Sequence, residues 1–203
     1  VFSLSAQNRL TPELLWELDR IGSPTASPDG KYIAFTITDY DWKKNSGKTN
    51  IYIMSTKGGE PTNLTANIGS SCWHPEWRPD GKYIGFISTN AGAPQMFEIK
   101  VENPDDFRQV TNYEEGVTGF HYAAQMNRIV FSGNVKLDET TSEKYPDLPM
   151  ASGRVYDNLM YRHWDEWTDY KYSHIFFQDY NDDNPMSPGI DIMMGQKYDA
   201  PLS

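Results

Sequence analysis

Two decapeptides, ASPDGKYIAF at residues 26–35 and WRPDGKYIGF at residues 77–86, repeat one turn and one strand within a single chain. In each, proline presets φ at the second position of a type I turn, Asp tolerates the third, and Gly takes the positive φ that follows. The five residues after Asp-Gly's turn begin Lys-Tyr-Ile and end in Phe, a segment rich in β-formers. Ile33 and Phe35 share one side of this strand, and Tyr32 lies on the other. Apolar residues on both sides predict a strand covered on both faces; a hairpin with one wet face alternates more cleanly.

The likeness extends beyond ten residues. IYIM (51–54) answers to QMFEI (95–99), GGEPTNLT (58–65) to DDFRQVT (105–111), and SPTAS (23–27) to HPEWR (74–78). Each unit therefore reads as four short strands joined by turns. A third, worn copy, VTGFHYAAQMNRIVF, occupies residues 117–131 and carries AAQMN where the Pro-Asp-Gly turn is expected. Phe86 to Phe131 spans 45 positions and Phe35 to Phe86 spans 51, the excess falling in the loop DYDWKKNSGKTN at 39–50, where insertion is cheap.

Four strands per unit of about 45 residues is the period of a propeller blade. Such a blade cannot bury both faces alone and is covered by its neighbours. The sequence thus predicts an all-β chain: a partial β-propeller of about three blades at residues 21–66, 67–113 and 114–203. The third is interrupted by an insert at about 133–171, after which YSHIFFQ (172–178) and GIDIMM (189–194) read as its later strands. Residues 1–20 form a leader and a short helix, TPELLWEL (11–18), with Thr11 as N-cap, Pro12 in the first position and Leu14, Leu15 and Leu18 as its apolar stripe. Closed propellers need about four to eight blades. Three blades imply either a piece of a longer polypeptide, the reading preferred here, or several chains sharing a ring. Uncovered blade edges predict self-association.

Composition narrows the partners. A formal charge of −10 over 203 residues argues against a nucleic-acid backbone as ligand. The single cysteine, Cys72, makes no internal disulfide, and no Cys/His pattern suggests structural zinc. No run of eighteen apolar residues is present, so no helical membrane span is expected. VFSLSA at residues 1–6 has two readings: the tail of a secretory signal, which places the protein in the periplasm or outside the cell, or an ordinary apolar strand.

Signatures of chemistry are sparse. G-x-S-x-G is absent, so the chain has no nucleophile elbow and no catalytic residue is assigned. His74, His121, His163 and His174 lack metal-ligand spacing. SGKT (46–49) ends like a phosphate loop, but Trp42 stands where its first glycine belongs. DYNDDN (179–184) begins like a calcium loop through Asp179, Asn181 and Asp183, yet Asn184 replaces the glycine and Ile190 the bidentate Glu; an Asx-rich turn is the preferred reading. Asn63-Leu64-Thr65 is a formal glycosylation sequon in an expected strand. No cofactor is called for. In GRVYDNLMYRHWDEWTDYKYSH (153–174), Tyr156, Met160, Trp164 and Trp167 recur at helical spacing. That face either packs on the propeller, with Arg162 pairing Asp165 and Glu166 on the surface, or turns those residues into a cavity toward a ligand's end group.

LTPELLWELDRIGSPTASPDGKYIAF, the second Pro-Asp-Gly blade and YDNLMYRHWDEWTDYKYSHIF, taken in that order, resemble the N-terminal propeller region of prolyl-oligopeptidase-family serine peptidases, chiefly bacterial dipeptidyl peptidases and acylaminoacyl-peptidase relatives. The blade repeat alone is shared with TolB-type propellers; LMYRHWDEW is the specific part. The resemblance implies a propeller of seven or eight blades capping an α/β-hydrolase domain and limiting access to short peptides or chain ends. This chain would then gate and help recognise peptide N-termini without being catalytic itself, its peptides being met through a hydrolase domain outside it. Arg162, Trp164, Asp165 and Glu166 are the substrate-recognition candidates implied. The alternative is a periplasmic TolB-like scaffold that binds protein partners.

Overall fold

The computed structural model describes residues 10–148, 150, 153 and 170–200. The leader 1–6 and the helical spacing read at 156–167 lie outside them. The first element follows from its cap: Thr11 Oγ1 accepts the Leu14 N–H at 3.1 Å and Pro12 fills the first turn, giving α1 (Pro12–Glu17). The expected apolar stripe is not buried, with Leu14, Leu15 and Leu18 at 38%, 44% and 47% exposure. Instead, Trp16 stands edge-on to Tyr40 at 5.5 Å and Arg20 donates to the Leu15 carbonyl at 2.9 Å.

Among the described residues, three antiparallel sheets of four strands follow, each in simple meander order. The first holds β1 (Arg20–Ala26), β2 (Tyr32–Asp41), β3 (Ser46–Ser55) and β4 (Thr62–Asn63). The second holds β5 (Cys72–Trp77), β6 (Tyr83–Ser88), β7 (Gln95–Lys100) and β8 (Asn103–Gln109). The third holds β9 (Val117–Tyr122), β10 (Arg128–Lys136), β11 (Lys171–Asp179) and β12 (Ile190–Asp191), with the short α2 (Thr141–Lys144) between β10 and β11. Thr25 pairs with Ala34, Glu76 with Gly85 and His121 with Val130, so the repeats coincide residue for residue. This is the partial propeller architecture.

Alternation along β6 and β7 decides how the blades pack. Ile84, Phe86, Phe97 and Ile99 join a cluster with Ala34, Ile51, Ile53 and Trp77, whereas Ile87 and Met96 join one with Phe120, Ile129, Phe131 and Phe176. The middle sheet is therefore buried on both faces. Each such side chain contributes roughly 1.5–3 kcal/mol relative to exposure. One aromatic pair recurs across the central strands of every blade: Phe35–Tyr52, Phe86–Phe97 and Phe131–Phe176, stacked at 6.1, 5.9 and 5.0 Å. Among the described residues, one face of each outer sheet has no neighbouring blade, and Ile21 and Val130 are 73% and 40% exposed.

Several expectations are revised. Residues 46–49, read as loop, belong to β3, because the hairpin ladder runs on to Asp41↔Ser46. Of residues 189–194 only Ile190–Asp191 form strand. Asn63 is engaged, its Oδ1 accepting the Thr65 N–H and its Nδ2 donating to the Tyr52 hydroxyl. AAQMN lacks Pro-Asp-Gly, yet the turn is present. Met126 takes φ 55°, beside 70° at Gly30 and 71° at Gly81, and donates its N–H to Ala123 O at 2.8 Å as those glycines do to Ser27 and Arg78. A side chain there costs about 1–2 kcal/mol against glycine's freedom. Met126→Gly is thus expected to stabilise the chain by about 0.5–1 kcal/mol, part of the relief being lost to unfolded-state entropy. Gly30→Ala, with open space around it, should destabilise by about 1 kcal/mol. Urea denaturation of both variants checks the opposite signs.

Candidate functional site

Polar groups gather where the second and third blades meet. Glu76 on β5 and His121 on β9 hold the same register position in successive blades, and Glu76 Oε2 lies 2.8 Å from His121 Nδ1. Glu76 Oε1 accepts the Tyr122 N–H at 3.1 Å, so one carboxylate binds both a ring and the free backbone edge of the next blade's first strand. Blades converge at a propeller's axis, and this bridge joins first strand to first strand. The His121 side chain stays 71% exposed beside a largely covered carboxylate. His74, at φ 56° in the β5 bulge, places its ring 6.2 Å from that of His121. Ser23 has φ 48° at the matching bulge of β1, so the strain at His74 belongs to the repeat.

Deeper in the same seam, Glu98 on β7 points toward the third blade and is wholly buried. Its carboxylate accepts from the Tyr122 hydroxyl at 2.7 Å, the Tyr180 hydroxyl at 2.7 Å and Arg108 Nη2 at 2.9 Å. Gly85 lets Tyr122 arrive: a Cβ there would fall 2.4 Å from the Tyr122 hydroxyl oxygen. Arg78, 2% exposed, forks onto Asp80 at 2.9 and 2.6 Å and reaches Asp182 Oδ1 at 2.6 Å. Arg108 meets the same Asp182 oxygen at 2.8 Å and its carbonyl at 2.9 Å. The Tyr83 ring lies 4.1 Å from the Arg78 guanidinium and 5.2 Å from that of Arg108. Burial raises the Asp182 pKa, but Arg108 and Arg78 outweigh it, and the net shift is downward. The Tyr180 hydroxyl is driven well above its usual range by burial and then by Glu98. Among the described residues no buried side-chain nitrogen or oxygen lacks a partner, so this network fastens the loop after β11 to the second blade rather than offering a vacant ionic pocket.

The nominated residues fall elsewhere. Arg162, Trp164, Asp165 and Glu166 lie outside the described residues. Asp179 pairs with Arg128 at 3.1 Å, Asn181 Oδ1 accepts the Asn184 N–H at 2.7 Å, and the segment is an Asx turn. No group of three or more His, Cys, Asp or Glu that could hold a metal occurs among the described residues. Asp182, between the nominated positions, pairs with both Arg78 and Arg108. Sequence reading missed Glu76, His121, Glu98, Arg78 and Arg108. Aligning the repeats by register would have placed Thr25, Glu76 and His121 at one point of successive blades.

With three four-stranded repeats in place, residues 18–145 match the family model of the TolB beta propeller domain. The chain belongs to that family. This TolB-family propeller is 31% identical over 198 residues to dipeptidyl-peptidase 5 of Porphyromonas endodontalis, covering 98% of this chain and 28% of that protein. With dipeptidyl-peptidase 5 of Porphyromonas gingivalis it shares 34% over 193 residues, 95% of this chain and again 28% of the relative. The chain thus spans little more than a quarter of these relatives. Among solved structures, an acylaminoacyl peptidase of Pyrococcus horikoshii superposes with a TM-score of 0.62 at 13% identity, covering 87% of this chain and 26% of that one; at that identity the likeness is one of fold.

The seam makes a quantitative demand. Arg108→Met strands the buried Glu98 carboxylate and should cost about 3–5 kcal/mol, and Tyr180→Phe about 1.5–3 kcal/mol. Urea melts of the two variants check this, and a loss near zero for both would mean the network holds nothing together.

Proposed function

We propose that this chain is the N-terminal propeller part of a dipeptidyl-peptidase-like serine hydrolase: it limits access to a hydrolase domain and helps recognise peptide N-termini, and is not catalytic by itself. The observation that carries this reading is the alignment of 98% of the chain with a fraction of a dipeptidyl-peptidase 5. The missing G-x-S-x-G motif agrees, since the nucleophile must then come from another segment. In this reading Asp165 and Glu166 meet a peptide's terminal ammonium and Arg162 a carbonyl or carboxylate. The uncovered blade faces are where the isolated chain self-associates.

The alternative, a TolB-like scaffold for protein partners, draws on the family match, and one experiment separates the two. The chain is assayed on chromogenic dipeptides beside the product of its full reading frame. The expected result is hydrolysis by the full-length product only, with further blades and a G-x-S-x-G turn encoded after Ser203. Turnover by the isolated chain, or a full-length product inert toward every dipeptide, would overturn the peptidase reading.

A further inference from the structure

His174 on β11 is wholly buried, and both ring nitrogens are committed to acceptors. Nδ1 lies 2.8 Å from Asp191 Oδ2 and Nε2 lies 2.8 Å from the Gln196 carbonyl oxygen. A carbonyl oxygen cannot donate, and a carboxylate accepts. Only a ring carrying two N–H groups satisfies both partners. Both acceptors come from one stretch, residues 190–200, which closes the outer edge of the third blade.

The rest of that stretch is held by a short ladder, three further hydrogen bonds and an exposed ion pair from Lys197 to Asp138. Its ladder to β11 amounts to Phe176↔Asp191 and Phe177↔Ile190. Beyond the ladder, Ile192 donates to Ile175 O at 3.1 Å, Ala200 donates to Ser173 O at 2.7 Å, and Asp199 accepts the Ser173 N–H at 2.8 Å. Ile190, Ile192 and Met194 are 52%, 59% and 77% exposed, and the small Ala200 is buried at 4%, so apolar burial contributes little. The buried ring is the anchor in the middle.

We infer that His174 is a proton-operated latch, fastening residues 190–200 to β11 as an imidazolium and releasing them when it becomes neutral. Neutral imidazole has one N–H, which leaves a ring lone pair facing either the Asp191 carboxylate or the Gln196 carbonyl in a dry site, a repulsive contact.

The surroundings favour the charged ring. Burial pushes its pKa down, but the Asp191 and Gln196 hydrogen bonds and the charges of Asp191 and Asp199 outweigh that, and the result lies above the ordinary 6.5. From β10 the register neighbour is Gly133, which brings no charge, and the Tyr113 ring packed over Gly133 donates its hydroxyl to Asn134 O. Lys171 and Lys197 are each paired, with Glu115 and Asp138. A group whose pKa rises on folding stabilises most below its unfolded value, so the latch is fully closed below about pH 6.5 and opens as pH climbs through the folded value.

Two measurements on the intact chain test this. Long-range proton–nitrogen NMR should show both His174 nitrogens protonated at pH 6.5, with a midpoint above that of an ordinary histidine. Amide exchange at Ser173, Ile192 and Ala200, corrected for intrinsic rates, should lose protection about tenfold or more as pH rises through that midpoint, while amides of β6 and β7 do not. Asp191→Asn should move the midpoint down and open the segment at lower pH; His174→Gln should leave it open at every pH. A neutral His174 tautomer at pH 6.5, or equal protection of residues 190–200 on both sides of its titration, overturns the latch.

Discussion

Everything in this molecule depends on a sheet that cannot shelter itself. A four-stranded blade with apolar side chains on both faces stays in water unless another blade lies against each face, and here the cover is supplied by repetition. Ile84, Phe86, Phe97 and Ile99 close one side of the middle blade, and Ile87 and Met96 close the other. The stacked aromatic pair across the central strands is the recurring part of that cover. It forms the same contact in all three repeats, although the residues flanking it have diverged.

Onto this apolar scheme the second seam adds a polar one. Two arginines and three carboxylates, Arg78, Arg108, Glu98, Asp80 and Asp182, are threaded with the hydroxyls of Tyr122 and Tyr180. An ionic group of this kind is a poor source of net stability, because its desolvation cancels much of the attraction. Its worth lies in geometry. It fixes the loop after β11 against a turn a hundred residues earlier, and with it the angle between blades. Glu76 and His121 do the same with fewer groups. Directional bonds set the angle between blades where dispersion contacts alone leave it loose.

How far could this be read in advance? The turns and strands of the first two repeats were legible because Pro-Asp-Gly and the β-rich pentapeptide after it act locally. The third repeat was harder, since Met126 adopts a glycine conformation that nothing in AAQMN announces; the hairpin on either side imposes it. The helix cap at Thr11 was legible for the same local reason, whereas the fate of its leucines was not, because burial depends on what lies opposite. The seam residues were invisible as a site. Glu98 and Tyr180 are 82 residues apart, and no spacing rule connects them. Only the repeat register carries a hint, by setting Glu76 and His121 at one position of adjacent blades.

The most direct measurement of mutual sheltering is residue-resolved hydrogen exchange across the three sheets. If neighbours supply the cover, amides of β6 and β7, enclosed on both sides, exchange most slowly, through global unfolding alone. Amides of β2, β3, β10 and β11, each in a sheet with a blade packed on one face, exchange sooner by local opening. Protection in the middle blade equal to or below that of the outer two would contradict the account.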